Sequence, residues 1–153
     1  MASTRKFIQV SREGDWLRVR DTFRGFGSGQ FIEKAQQIIK QELEEAKELL
    51  IMEIESQSMG HAELSSKWSD YKSSHGLDPR TLIATGEYLE SFTVSRIGTR
   101  TWKLHPEGHE ELAEWLEYGT RTMPARPHWY YVNDSIESLI RDALIKEFRD
   151  IIS

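Results

Sequence analysis

The chain is 153 residues long, with 38% apolar and 29% charged side chains and a net charge of −5, values that fit one soluble globular domain rather than a disordered segment. Its longest aliphatic run, Leu49-Leu50-Ile51-Met52, is far short of the ~20 apolar residues of a membrane span, and no apolar stretch follows Met1-Ala2-Ser3-Thr4-Arg5-Lys6, so neither a membrane segment nor a secretory signal is expected. The absence of cysteine excludes disulfides and thiolate metal sites and suits assembly in a reducing cytoplasm.

The first predicted element is a β-hairpin. Phe7-Ile8-Gln9-Val10 and Trp16-Leu17-Arg18-Val19-Arg20 are β-prone runs on either side of the five-residue turn Ser11-Arg12-Glu13-Gly14-Asp15. Gly25, Gly27 and Gly29 then make a flexible joint within Phe23-Arg24-Gly25-Phe26-Gly27-Ser28-Gly29. Residues 1–29 are thus expected to form an arm, and residues 30–153 the main domain. Apolar residues next recur at Phe31, Ala35, Ile38, Ile39, Leu43, Ala46, Leu49, Leu50 and Ile54, the spacing of one long amphipathic helix. At about 1.5 Å per residue such a helix crosses the whole domain, so it must dock on a sheet or on other chains to be stable.

A short helix is predicted over residues 63–73, carrying Leu64, Trp68 and Tyr71, followed by a loop at Ser74-His75-Gly76-Leu77-Asp78-Pro79. One capped helical turn is expected at residues 85–91. Phe92-Thr93-Val94-Ser95-Arg96-Ile97 and Thr101-Trp102-Lys103-Leu104-His105 alternate around Gly98-Thr99-Arg100, giving a second hairpin. Residues 110–118 repeat helical spacing through Leu112, Trp115 and Leu116, and Val132, Ile136, Leu139, Ile140, Ala143, Leu144, Phe148 and Ile151 mark a C-terminal amphipathic helix. The fold class that follows is α+β, with long helices packed on a small antiparallel sheet.

Charge is unevenly spread. Residues 1–30 hold six basic side chains (Arg5, Lys6, Arg12, Arg18, Arg20, Arg24) against three acidic ones, residues 31–63 three basic against eight acidic, and residues 107–117 five glutamates with no basic residue. Such blocks are ordinarily solvated faces. Their sharper reading is a polar assembly in which a basic arm meets an acidic surface on a neighbouring subunit.

Motifs that carry chemistry are weak. His105 and His109 stand four apart, but Pro106 and Gly108 between them oppose a helical metal site and no third ligand is spaced to join them; His61, His75 and His128 are isolated. Gly25-x-Gly27-x-Gly29 lacks the spacing of a dinucleotide-binding turn. Ser69-x-x-Lys72 matches a nucleophile–lysine pattern that a chain rich in both residues contains by chance. The 107–117 glutamates read more readily as an exposed face than as paired acid–base carboxylates. No catalytic residue, cofactor or metal is therefore expected, and the chain reads as a non-enzyme. Arginines among Phe7, Trp16, Phe23 and Phe26 keep a small DNA-binding module in view as an alternative, against the acidity of the whole chain.

One stretch is distinctive: Glu117-Tyr118-Gly119-Thr120-Arg121-Thr122-Met123-Pro124-Ala125-Arg126-Pro127-His128-Trp129. Gly119 can end a helix in a left-handed conformation, and Pro124 and Pro127 force Met123 and Arg126 toward extended backbone. The expected product is a stiff connector that closes the core, or a rigid rim presenting Arg121 and Arg126 to a neighbour's carboxylates. Together with Leu82-Ile83-Ala84-Thr85-Gly86-Glu87-Tyr88-Leu89-Glu90-Ser91-Phe92, this stretch resembles the tail-completion or neck proteins of tailed bacteriophages, in the order turn, hairpin, short helix, Gly-Thr, Pro-Ala-Arg-Pro, long helix. The resemblance covers about residues 82–145. His128-Trp129 stands where that family usually has phenylalanine, and Leu112 where tyrosine is common.

The resemblance implies a structural virion protein, built in the host cytoplasm, that joins head to tail as a subunit of a ring such as a hexamer. Its implied neighbours are other copies of itself, a head-side connector or stopper, and a tail terminator or tail tube protein; DNA passes through the lumen without specific binding, and no membrane is involved. An acidic lumen would repel phosphate. The subunit interface is expected at Glu117, Tyr118, Gly119, Thr120, Arg121, Met123, Pro124, Arg126, Pro127 and Trp129, and arm contacts to a neighbour's sheet edge at Trp16, Arg18, Arg20 and Phe23. A tail-terminator ring subunit is the alternative within the virion.

Overall fold

A computed structural model of the chain describes Arg24, residues 29–99 and residues 101–152. The fold is α+β: helix α1 (Gly29–Ser56), α2 (Ser66–Ser74), the single turn α3 (Glu87–Glu90), strands β1 (Phe92–Arg96) and β2 (Trp102–Pro106), α4 (Glu110–Tyr118) and α5 (Trp129–Ile152). The expected hairpin arm, with Trp16, Arg18, Arg20 and Phe23, lies outside the described residues. Of the expected glycine joint, Arg24 and Gly29 are described, and both have helical backbone. Gly29 already begins α1, two residues ahead of the apolar stripe that opens at Phe31, so the boundary set at residue 29 falls inside the helix.

Helix α1 is the spine. Its 28 residues extend about 42 Å at 1.5 Å each, and Leu43, Ala46, Leu50 and Ile54 bury one face of its C-terminal half by three- and four-residue spacing. Helix α5 runs antiparallel beside it, with Phe31 against Phe148 at a ring separation of 4.7 Å and Lys34 paired with Glu147. The two-stranded sheet lies across the same helix. Its antiparallel register pairs Phe92 with Pro106 and Val94 with Leu104. Trp102 is drawn to α1, its indole N–H donating to Gln36 Oε1 at 2.7 Å while the Lys40 ammonium stands 5.7 Å over the ring. The sheet has two strands among the described residues, so it relies on α1 for a covered face.

The core gathers Leu50 and Ile54 of α1, Ile83, Tyr88 and Leu89 of the turn region, Phe92 of β1, and Ala113 and Leu116 of α4. Around it, long connections are held by side chains that satisfy backbone groups. Where α1 ends, Gln57 Oε1 accepts from the Thr81 amide at 2.8 Å and hydroxyl at 2.6 Å, while Gln57 Nε2 donates back to the Thr81 carbonyl at 3.1 Å. Helix α2 starts three residues later than its apolar pattern suggests because the Ser65 hydroxyl caps it, accepting from the Trp68 amide. No helix of the described residues is long and apolar enough to cross a membrane.

Leu50 is almost fully enclosed and is one of the two residues by which the spine enters the core cluster. Leu50→Ala should therefore lower unfolding free energy by about 2–5 kcal/mol, measured as a fall in the urea midpoint with an unchanged slope.

Candidate functional site

The stretch from Glu117 to Trp129 folds as a stiff connector between α4 and α5, and three devices hold it. The first is Gly119, with φ 75° and ψ 175°, a conformation essentially restricted to glycine. Its amide closes α4 on the Trp115 carbonyl at 2.8 Å. A Cβ at this position would stand 2.7 Å from the Ala125 nitrogen and 2.8 Å from the Met123 oxygen, so the chain folds back tightly over it. Thr120 and Met123 exchange amide–carbonyl bonds of 2.9 and 3.3 Å, closing the turn that carries Arg121 and Thr122.

Arg126 is the second device. It is only 5% exposed, and its amide donates to the Leu116 carbonyl at 2.7 Å. Its guanidinium turns inward, Nε donating to the Ala62 carbonyl at 3.0 Å and Nη2 to the Glu63 carbonyl at 3.1 Å. His61 adds a parallel tie, its Nε2–H donating to the Pro127 carbonyl at 2.8 Å. Desolvation works against the guanidinium's charge and lowers its pKa, a penalty offset by bonds from a charged donor. The expectation that Arg121 and Arg126 act together as outward contacts is thus divided: Arg121 is exposed, whereas Arg126 is committed inside the chain.

The third device is the Glu117 carboxylate. Oε2 accepts from the amides of His128 at 2.8 Å and Trp129 at 3.0 Å, and Oε1 from that of Tyr130 at 2.9 Å. The last two are the first, otherwise unpartnered amides of α5 and the other belongs to the residue just ahead of it, where a negative charge also meets the positive end of the helix dipole. Glu117 is the one glutamate of residues 107–117 that is turned inward; Glu107, Glu110, Glu111 and Glu114 are exposed.

Behind the connector lies a buried polar chain. His128 has no solvent exposure. Its Nδ1 is 2.8 Å from the Arg126 carbonyl oxygen, which can only accept, so this nitrogen carries the proton. Nε2 then accepts from the Tyr88 hydroxyl at 2.7 Å, and the Tyr88 oxygen accepts from the Trp129 indole N–H at 3.1 Å. Every polar atom of the chain has a partner only while His128 is neutral. Burial lowers the His128 pKa, against the opposing pull of the Arg126 carbonyl and the Glu117 carboxylate, with His61 adding to the lowering. Burial likewise pushes the Tyr88 phenol well above its usual value. Trp129 packs on Phe92 at 4.9 Å between ring centres, which joins the chain to the core.

A second buried cation, Lys72, is 2% exposed and donates to the carbonyls of Arg80, at 2.7 Å, and Ile83. Desolvation lowers its pKa, Asp78 opposes that, and Arg126 adds to it. Its ammonium thus organises the 80–83 loop, while Ser69 of the Ser-x-x-Lys pattern is exposed. Asp78 is held down to about 2, chiefly by the Arg80 guanidinium, whose Nη2 is 2.6 Å from its Oδ2. Sequence reasoning missed Lys72, Tyr88 and His128. The readable signal was His128 itself, a polar residue at a position where the resembling pattern expects an aromatic one.

Of the expected interface residues, Tyr118 (78% exposed), Thr120, Arg121 and Pro124 face outward, and Met123, Pro127 and Trp129 are half-buried. Gly119, Glu117 and Arg126 build the connector rather than its surface. Lys72 and Arg126 also line a cleft of about 370 Å³ walled by Trp68, Leu112, Met123 and Pro124. His105 and His109 do not converge with a third ligand: among the described residues no group of three histidine or acidic side chains could hold a metal ion. His105 instead pairs its Nε2 with the Ser95 hydroxyl at 2.9 Å.

Gly119→Ala should destabilise the fold by about 1–3 kcal/mol from backbone strain and a similar amount from the clash with residues 123–125, read as a large drop in melting temperature. A pH dependence follows from His128. Unfolded, it takes up a proton as pH falls through about 6.5; folded, it resists until a lower pH, so the unfolded state binds more protons in between. Stability should be fully present above that ordinary value and fall as pH is lowered from about 6.5 toward the native pKa. His128→Asn should flatten this slope in thermal unfolding series, leaving untouched the separate loss at lower pH where Asp78 protonates.

Comparison of the chain with family models, with curated proteins and with solved structures finds no match in any of the three.

Proposed function

We propose that the chain is a non-enzymatic structural protein of a tailed bacteriophage, one subunit of a self-assembled ring that completes the tail and joins it to the head. The carrying observation is the 117–129 segment. The residues that resemble tail-completion proteins form a connector stiffened from inside by Glu117, Gly119 and Arg126, which leaves Tyr118, Arg121 and Pro124 at the surface. A rigid element that displays a large aromatic residue and an arginine has the composition of a protein contact. A side chain as exposed as Tyr118 contributes nothing to the monomer's core.

In this reading the exposed carboxylates Glu107, Glu110, Glu111 and Glu114 line or border the channel. Their charge keeps DNA phosphates from adhering as the genome passes. Head-side connector and tail-side terminator or tube proteins would contact the two rims.

Light scattering on the full chain, over a range of protein and salt concentrations, should give a discrete ring-sized oligomer. A monomer at every concentration would overturn self-assembly. A salt-sensitive shift of DNA, abolished by Arg18→Ala with Arg20→Ala, would assign the chain to DNA binding instead.

A further inference from the structure

Among the described residues, two separate apolar surfaces stand uncovered. One is the outer face of α4, where Trp115 and Tyr118 point away from the core that Ala113 and Leu116 enter. Arg121 follows on the adjoining turn, exposed and without an ion pair among the described residues. The other is a groove of about 400 Å³ between the C-terminal half of α1 and the N-terminal half of α5, walled by Leu49, Met59, Val132, Ile136 and Leu139. Leu49 and Leu139 are both exposed, and Met52 and Tyr131 extend the apolar surface. Glu53 lies in the groove wall, its carboxylate accepting a hydrogen bond from the Ser58 hydroxyl.

The two surfaces differ in shape and in charge. The α4 corner projects, ending in the most exposed aromatic side chain among the described residues, and Arg121 puts a cation at its tip, with the exposed Glu111 and Glu114 one turn behind the two aromatic residues. The groove is concave and carries a carboxylate. Neither fits a second copy of itself, which is what a two-fold contact would require; each fits the other. A contact between unlike patches of identical chains is heterologous, and repetition of it closes a ring when the rotation permits. Exposed apolar patches rimmed by polar groups are the usual mark of such contacts.

We propose that the Tyr118–Arg121 corner of one subunit docks in the α1–α5 groove of the next, Tyr118 entering between the helices and Arg121 pairing with Glu53. The inference rests on the ring reading and specifies its interface. Burial of the tyrosine supplies affinity, while the arginine–carboxylate pair fixes which patch meets which. Each subunit uses one corner and one groove, so the ring has a direction. The stiffness imposed by Gly119 and Arg126 holds the corner in one geometry, which makes the angle between successive subunits constant.

Two measurements on the full chain test this. The chain has no cysteine, so Thr120→Cys, beside the corner, and Ser135→Cys, in the groove wall, introduce unique thiols without removing an apolar contact. With a short thiol crosslinker, a mixture of the two single variants should give a covalent dimer that neither gives alone. The double variant should give a ladder of higher species. In light scattering, Arg121→Glu should disperse the oligomer and Glu53→Arg in the same chain should restore it. An oligomer that forms without the mixed crosslink, or that the paired charge reversal does not rescue, overturns this interface and leaves the ring standing. A full chain that never oligomerises removes the ring and the interface together.

Discussion

The capture by one carboxylate of the amides of His128, Trp129 and Tyr130, where α5 begins, is the interaction on which the rest of this structure depends. Glu117 stands in the last turn of α4 and its side chain starts α5, so the two helix ends are tied together rather than being joined by a slack loop. The amides of His128 and Trp129 would otherwise sit partly buried with no acceptor, each at a desolvation cost of about 1–3 kcal/mol. Meeting them with a charge that also suits the helix dipole makes the site stabilising. It further fixes the direction in which the 24 residues of α5 leave the core, and hence where α5 meets α1.

The loops of this fold are organised by cations in the same way that the start of α5 is organised by an anion. Arg126 collects two carbonyls from the segment that follows α1, and Lys72 two from the loop before α3. Both are buried without a carboxylate within ion-pair distance among the described residues; carbonyl dipoles hold each, and the Asp78 charge supports Lys72 from farther off. A buried charge of this sort is costly to create but defines one arrangement of the chain around it, since every donor has a fixed direction. Tyr88 and His128 extend the principle to neutral groups, a relay of donors and acceptors that is complete in a single protonation state.

Such interior economy leaves the exterior unbalanced. Apolar residues that the domain could not enclose collect on the outer face of α4 and in the cleft between α1 and α5, and the stiff connector holds the first of these in place. Helix α1 is longer than the core it serves: the cluster of buried residues occupies its C-terminal half. Its N-terminal half instead carries α5 and the hairpin, through Phe31 on Phe148, Lys34 beside Glu147 and Gln36 bonded to Trp102.

The elements themselves were legible in the chain. Residues 110–118 matched helix α4 to the residue, because Leu112 and Leu116 repeat at helical spacing and Gly119 stops the pattern. The 92–97 and 101–105 hairpin came within a residue of β1 and β2 because alternation and a glycine turn act over a few positions. The role of individual polar residues was not legible. Arg121 and Arg126 are equivalent as sequence, and so are Glu114 and Glu117. What separates them is whether the fold brings a starved backbone group within reach: the carbonyls of Ala62 and Glu63 for Arg126, 64 and 63 residues away, and the first amides of α5 for Glu117. Periodicity, glycine and proline thus determined where the elements begin and end, since those effects are local. Tertiary structure alone decided which charges were spent inside and which were left at the surface, since the demand for a hydrogen-bond partner exists only once the backbone has been buried.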